Sequence, residues 1–259
     1  MKLIFPFIAL CIICTNMNAQ TPPNVPKEAL RIFPALQNMH GYAVGHYNQC
    51  VLIIGGRTQS DVPELYAGDF PNLEMILIDL NQRRATAFGT GNLEGVLGEH
   101  LAATGMAYYQ HEHLLYLVGG YGYSDSQCRF ITFPYLTVID LKATIPALLA
   151  GQNPVAHFYQ ISDKRMALFD ATFDYNGDEF FIINGKYAYK LNPFEDTPTY
   201  HKENRTGEGH TFRLQQKEHQ IDFKDFKSWY DLRDLEDYYG PLLPERIERA
   251  IHSSNKGNQ

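Results

Sequence analysis

The sequence predicts an all-β chain of repeated antiparallel units, on three observations. Pairs of apolar runs align three times along the 259 residues: Gly41–Tyr47 with Cys50–Gly56, Gly105–Tyr109 with Leu114–Gly120, and Ala167–Phe173 with Glu179–Gly185. The closing glycines stand at 56, 120 and 185, spacings of 64 and 65. A later run ends in Ile-Asp-Leu at 78–80 and again at 139–141, a second point of register between the first two units. Self-similarity at a fixed period of this length is the mark of a repeat architecture.

Each pair reads as a hairpin. Five or six consecutive apolar, β-branched or aromatic residues, as in Cys50-Val-Leu-Ile-Ile54 and Leu114-Leu-Tyr-Leu-Val118, suit buried strands. Short polar turns join the partners: Asn48-Gln49, His111-Glu-His113 and Asp174-Tyr-Asn-Gly-Asp178. In the last, Asn176-Gly177 is the strongest two-residue turn signal, because both positions tolerate positive φ. The glycine pairs at 55–56 and 119–120 permit a sharp exit and a close backbone approach. A third strand follows an insertion, at Met75–Leu80 and Leu136–Leu141, and Arg84–Phe88 and Ala156–Gln160 supply a fourth. Four antiparallel strands, repeated, make the blade of a β-propeller. In the third unit His210–Leu214 fits the third strand with Gln220–Phe223 beside it, after a polar insertion at 195–208. Short helices are expected at Asn92–Thr104, at Ala143–Gly151 and at Pro244–Ile251, where Ile247 and Ile251 are four apart behind a helix-starting proline. The stretch 225–239 shows no clean period.

The N-terminus reads as an address. Met1-Lys2 precedes an apolar run over Leu3–Cys14, and a polar stretch then ends on Ala19. This is the layout of a secretory signal peptide, and the run is too short for a membrane helix, which needs roughly 20 residues. Cleavage after Ala19 places the protein in the periplasm, on the cell envelope or outside, and leaves 20–32 as a linker, 33–223 as the repeated units and 224–259 as an irregular or helical tail. Cleavage also removes Cys11 and Cys14. Cys50 and Cys128 remain, at non-equivalent places in the repeat, and read as unpaired thiols slightly ahead of a disulfide. The net charge of −7, with no basic block, argues against nucleic acid or an anionic membrane surface as the main partner. The 240 residues left after cleavage hold fewer than four 64-residue periods, whereas closed propellers have about four to eight blades. The expectation is an incomplete propeller of three to four blades, truncated or closing only with a partner.

These residues carry a resemblance. The succession of apolar strand, Gly-Gly, loop and Ile-Asp-Leu strand resembles the kelch repeat. Leu52–Thr58, Gly119–Ser124 and Ile131–Asp140 are similar to secreted kelch-type proteins of Bacteroidetes-like bacteria. The likeness covers about Phe33 to Tyr238 and is most specific in the second unit. It departs where Asn184-Gly185 replaces a glycine pair, and the single Trp, at 229, stands away from those pairs. The resemblance implies a propeller, export and a binding role. It also admits an enzymatic alternative, since galactose oxidase-like and sialate epimerase-like kelch propellers exist.

Chemistry is thinner in the sequence. His111-Glu112-His113 could present two imidazoles on one strand face for a metal, but its place between strands makes it a turn. Asp174–Asp178 imitates the start of a calcium loop without its glycine and glutamate, and is again a turn. No Gly-x-Ser-x-Gly elbow, His-Glu-x-x-His helix or phosphate-binding glycine loop is present, and no cofactor is implied. The candidates are the segments after the glycine pairs, Arg57–Leu73 and Tyr121–Pro134. In a propeller these emerge on one face, and they carry Arg57, Tyr66, Tyr121, Tyr123, Asp125 and Arg129 with Asp61, Phe70 and Phe130. Aromatic plates with Arg and Asp suit a glycan or peptide, though the same aromatics could simply anchor their own loops. The reading is a secreted binding protein for a protein or glycan ligand, without a discernible catalytic centre. The alternatives are a sugar epimerase or oxidase and a non-functional truncated propeller.

Overall fold

The computed structural model describes residues 25–58, 70–190, 200–205, 207–217 and 220–256; the leader at 1–19 lies outside them. The first unit runs through α1 (Lys27–Ile32), a helical turn at Pro34–Asn38, β1 (Met39–His40), β2 (Ala43–Tyr47), β3 (Cys50–Ile54), β4 (Arg57–Thr58), β5 (Phe70–Pro71), β6 (Glu74–Asp79) and β7 (Arg84–Gly89). The second comprises α2 (Val96–Leu101), β8 (Ala107–His111), β9 (Leu114–Val118), β10 (Tyr121–Ser124), β11 (Arg129–Thr132), β12 (Tyr135–Asp140), α3 (Leu141–Leu149) and β13 (Phe158–Ser162). The third has a helical turn at Lys164–Met166, then β14 (Thr172–Tyr175), β15 (Phe180–Ile183), β16 (Lys186–Lys190), β17 (Tyr200–Asn204), β18 (Gly209–Lys217), β19 (Gln220–Trp229), α4 (Leu232–Tyr239) and α5 (Glu245–Lys256).

The chain is therefore mostly β, with antiparallel sheets and a few short helices. Three four-stranded meanders, β2-β3-β6-β7, β8-β9-β12-β13 and β14-β15-β18-β19, are each interrupted between the second and third strands by a protruding pair of strands. These arms are β4-β5 (which also pairs with β1), β10-β11 and β16-β17. The sequence reads the same segments as loops, because strands of two to five residues carry too little pattern to be seen. Among the described residues the strands close no barrel or ring.

The continuous apolar runs arise because both faces of each sheet are covered. Cys50, Leu52 and Ile54 face the second sheet, joined by Leu115, Leu117 and α3 residues Leu141, Ile145 and Leu148. Tyr116 and Val118 turn the other way, to Phe180, Ile182 and Phe212 of the third sheet. At the two outer faces helices substitute for a further sheet. Val51, Ile53, Ile76 and Ile78 pack with Ala29 of α1 and with Leu36. Phe181 and Ile183 pack with Leu232, Leu235 and Tyr239 of α4 and Ile247 and Ile251 of α5. The segment read as a linker, 20–32, thus contains a helix that seals the first sheet. The boundary drawn at 223 falls inside β19, and the tail beyond it is the lid of the third sheet. Leu232, Leu235 and Tyr239 are spaced three and four apart, a helical stripe that the surrounding charge obscures.

The repeat signatures have local causes. Asp79 accepts from the backbone N–H groups of Asn81 and Gln82, and Asp140 from those of Lys142 and Ala143, so each Ile-Asp-Leu aspartate caps the turn that leaves its strand. The helix after Asp140 accordingly begins at Leu141, two residues before the expected start. Asn48 and Gln49 take positive φ in a two-residue turn. The turn after Tyr175 instead spans four residues, with the Asn176 side chain accepting from the Asp178 and Glu179 N–H groups.

Gly119 has φ +65, and a Cβ there would sit 1.8 Å from the Leu168 carbonyl oxygen of the next unit. Asn184 occupies the equivalent place with φ 58, a conformation asparagine tolerates. Among the described residues α5, not a further sheet, stands beside it, and the Asn184 amide donates to the Ala250 carbonyl. The broken glycine pair thus falls where the described neighbour is a helix and no carbonyl of a further sheet demands glycine. Gly119→Ala is expected to cost about 3 kcal/mol or more through backbone strain and displacement of Leu168. Asn184→Gly is expected to cost about 1 kcal/mol, since glycine accepts the positive φ while the side-chain bonds to Ala250 and Gly207 are lost. Urea unfolding midpoints of the two variants check the contrast.

Candidate functional site

The three arms leave their sheets at matching points. Gly56, Gly120 and Gly185 carbonyls accept from the N–H groups of Asn72, Phe133 and Arg205, which closes the base of each arm. Successive units are tied by equivalent bonds: the Gly105 N–H donates to the Gly41 carbonyl, and the Asp170 N–H to the Gly105 carbonyl, both at 2.8 Å. His40 pairs with Arg57, Thr104 with Tyr121 and Phe169 with Lys186, so the arms begin in one register. Neighbouring arms also touch directly, the Thr132 hydroxyl of β11 donating to the Ala188 carbonyl of β16 at 2.8 Å.

Two clefts result. Between the first and second arms a cleft of about 180 Å³ is lined by Arg57, Pro71, Leu73, Glu99, Tyr121, Tyr123 and Phe130. The Arg57 guanidinium stands 5.7 Å from the Tyr121 ring centre, and Phe130 stacks on Tyr121 and meets Tyr123 edge-on. Here the sequence-derived residues Arg57, Tyr121 and Tyr123 come together. Their rings also pack on one another, so they hold the arms as well as face the cleft. Asp125 lies beside this group, on an adjoining depression shared with Tyr123, Thr90 and Leu93. Tyr66 and Asp61 lie outside the described residues.

Arg129 belongs to a different cleft. Between the second and third arms a space of about 640 Å³ is bounded by Arg129, Tyr187, Tyr189 and Arg205, with Lys164, Arg165, His210 and Ser228 also lining it. The Arg129 guanidinium lies 5.8 Å from the Tyr189 ring centre and that of Arg205 5.2 Å from Tyr187. Arg165 donates to both carboxylate oxygens of Asp163 and covers the Phe226 ring at 3.4 Å. His210 is buried, with Nδ1 3.1 Å from the Ser228 hydroxyl. Burial first, and then the positive charges of Arg165 and Arg205, lower its pKa to about 4, so its ring is neutral at pH 7. The sequence reading missed this cleft. Its one signal was Lys186-Tyr-Ala-Tyr-Lys190 after Gly185, in which tyrosines two apart mark one face of a strand.

His111 and Leu114 pair across the Glu112-His113 turn, and Asp178 is engaged by Arg213, which places both motifs in structural turns. Among the described residues no three His, Cys, Asp or Glu side chains gather to hold a metal ion. Cys50 is buried, Cys128 is exposed, and both thiols are free. No helix among the described residues is long and apolar enough to cross a membrane.

No family model matches the chain, and no curated protein does. Among solved structures it is similar to one described as "Structure of YjhT", at 11% identity and a TM-score of 0.36 over 71% of this chain. The chain spans 58% of that neighbour's length.

Proposed function

We propose that the protein is a kelch-type, open-ended β-propeller protein, exported through the leader at 1–19, that binds a protein or glycan at the cell envelope through its three hairpin arms. The observation that carries this reading is the repetition of the arms. Each leaves its sheet after the residue pair at 55–56, 119–120 or 184–185, and neighbouring arms frame clefts lined with Arg and Tyr. The sheets support the propeller reading: each is a four-stranded meander, and their first strands β2, β8 and β14 are neighbours in turn. Arg–Tyr walls suit ligands that offer both ring faces and hydrogen-bonding groups.

A glycan array probed with the full chain tests the reading. Binding is expected, and it is expected to weaken at least tenfold in one of two sets of substitutions. One set is Arg57→Ala with Tyr121→Ala and Tyr123→Ala; the other is Arg129→Gln with Arg205→Gln. Equal binding by wild type and both sets would overturn the arm face as the site. A silent array, with no protein captured from envelope extracts, would overturn the binding role.

A further inference from the structure

The register that ties the units together lets one position be followed through all three. The Gly55 site is covered by the Leu101 and Ala103 carbonyls and the Gly119 site by those of Met166 and Leu168, so His100 and Arg165 are equivalent. Leu36 holds the same place one unit earlier, since Gly41 and Gly105 are matched by their hydrogen bond. On the third strands Ile76, Thr137 and His210 correspond, opposite Ile53, Leu117 and Ile182. On the fourth strands their partners are Ala87, Gln160 and Ser228.

The chemistry of this position changes along the stack. In the first unit Leu36 and Ile76 are buried in an apolar cluster. In the second His100 bridges the Gly119 carbonyl and the Thr137 hydroxyl, which also receives the Gln160 amide, a closed polar knot. In the third the position opens: Arg165, His210 and Ser228 line the 640 Å³ cleft. Four cationic side chains line that cleft, Arg129, Lys164, Arg165 and Arg205, against the two carboxylates of Glu203 and Glu208, in a chain whose net charge is −7. Arg165 is committed to Asp163, whereas Arg205 meets Glu203 only at 3.7 Å, with the Glu203 side chain 64% exposed. Arg129 is hydrogen-bonded to the uncharged Gln127.

We propose that this cleft binds an anionic oligosaccharide, with its acidic group paired to Arg129 and Arg205 and a sugar ring against Tyr187 and Tyr189. The inference rests on the binding role above and assigns it a site and a ligand charge. The volume falls within the roughly 300–1,000 Å³ of small-ligand sites. Two guanidiniums held at tyrosine faces lose little freedom when they engage a carboxylate or sulfate. His210 in the same wall has its pKa lowered first by burial and then by the charges of Arg165 and Arg205, in keeping with that geometry.

The test is calorimetric titration of the full chain with trigalacturonic acid, a chondroitin sulfate tetrasaccharide and neutral maltotriose. At least one charged probe is expected to bind at least tenfold tighter than maltotriose, more weakly as salt is raised. Trigalacturonic acid carries carboxylates alone and the chondroitin tetrasaccharide both carboxylates and sulfates, so either one binding tighter than maltotriose supports the proposal, and binding of the second alone points to a sulfate contribution. Arg129→Gln with Arg205→Gln is expected to weaken that binding at least tenfold without moving the urea midpoint, and Lys142→Gln to leave it unchanged. Charged probes that bind no tighter than maltotriose, or do not bind, overturn the proposal, as does binding indifferent to the double substitution. If the array shows a glycan held through Arg57, Tyr121 and Tyr123 alone, the inference fails and the binding role stands. If array and titration are both silent, both fail.

Discussion

Replacing Ile247 and Ile251 together with alanine is expected to destabilise the protein by about 4 kcal/mol or more, leaving much of it unfolded or aggregated at room temperature. Both side chains are buried to within 1% of complete exclusion, and they meet Phe181 and Ile183 on the outer face of the third sheet. An Ile-to-Ala change in a core costs about 2–5 kcal/mol, from lost burial and from the cavity left behind. Whole domains are stable by only about 5–15 kcal/mol. The two sites are one helical turn apart, so their effects couple, but even the lower bound is a large share of the total. The consequence is specific to the architecture. Without the α5 contacts the Phe181 face is covered by α4 alone and part of it becomes exposed apolar surface, the kind that recruits a partner or aggregates. The wild-type chain, sealed by α1 at one end and by α4 and α5 at the other, is expected to be monomeric in light scattering, and the double variant to form larger species. Leu242→Ala is the control, since Leu242 is 65% exposed and should change stability by less than about 0.5 kcal/mol. A double variant with the wild-type urea midpoint would show that α5 does not seal the sheet.

The units were legible in the sequence because their determinants are local. Val51–Ile54, Leu114–Val118 and Phe180–Ile183 are apolar at every position because each strand feeds two cores, and Gly55 and Gly119 have no alternative beneath a neighbouring carbonyl. Asn184, where the sequence departs from the glycine pair, faces α5 among the described residues, a neighbour that the sequence of its own segment does not reveal. The seals were harder to read. Six residues of α1 carry one fully buried side chain, Ala29, too little for a period to show. Arg57, Tyr121 and Tyr123 were found because each lies just beyond a glycine pair. Arg165, His210 and Ser228 come from a connecting turn, a third strand and a fourth strand, and only strand register brings them to one cleft. Nothing within a single segment announces that meeting.

Acid is expected to unfold this protein well before its carboxylates are fully protonated, and two histidines account for much of the effect. The Gly119 carbonyl can only accept, so His100 Nε2 carries the proton and donates to it at 2.8 Å. Nδ1 is then the unprotonated atom and accepts from the Thr137 hydroxyl at 2.9 Å. Complete burial, only partly offset by the Gly119 carbonyl, lowers the His100 pKa to about 4. His210 reaches about 4 through burial and the charges of Arg165 and Arg205, with Asp163 opposing. In the unfolded chain both titrate near 6.5, so below that pH the unfolded state binds protons that the fold refuses. Stability is therefore complete above about pH 6.5 and falls as pH drops towards 4, by roughly 3 kcal/mol per histidine at about 1.4 kcal/mol per pH unit. Asp163, whose pKa its bonds to Arg165 lower, adds a loss of the same sign at lower pH. Asp174, raised by burial, works in the opposite direction. Urea titrations at half-unit steps from pH 7.5 to 4.5 should show an uptake approaching two protons on unfolding near pH 5. His210→Asn should remove about one of them while leaving the stability at pH 7.5 within about 1 kcal/mol. A flat profile between pH 6.5 and 4.5 would mean that neither ring is held neutral by the fold, and the closed knot around His100 would lose its stabilising role.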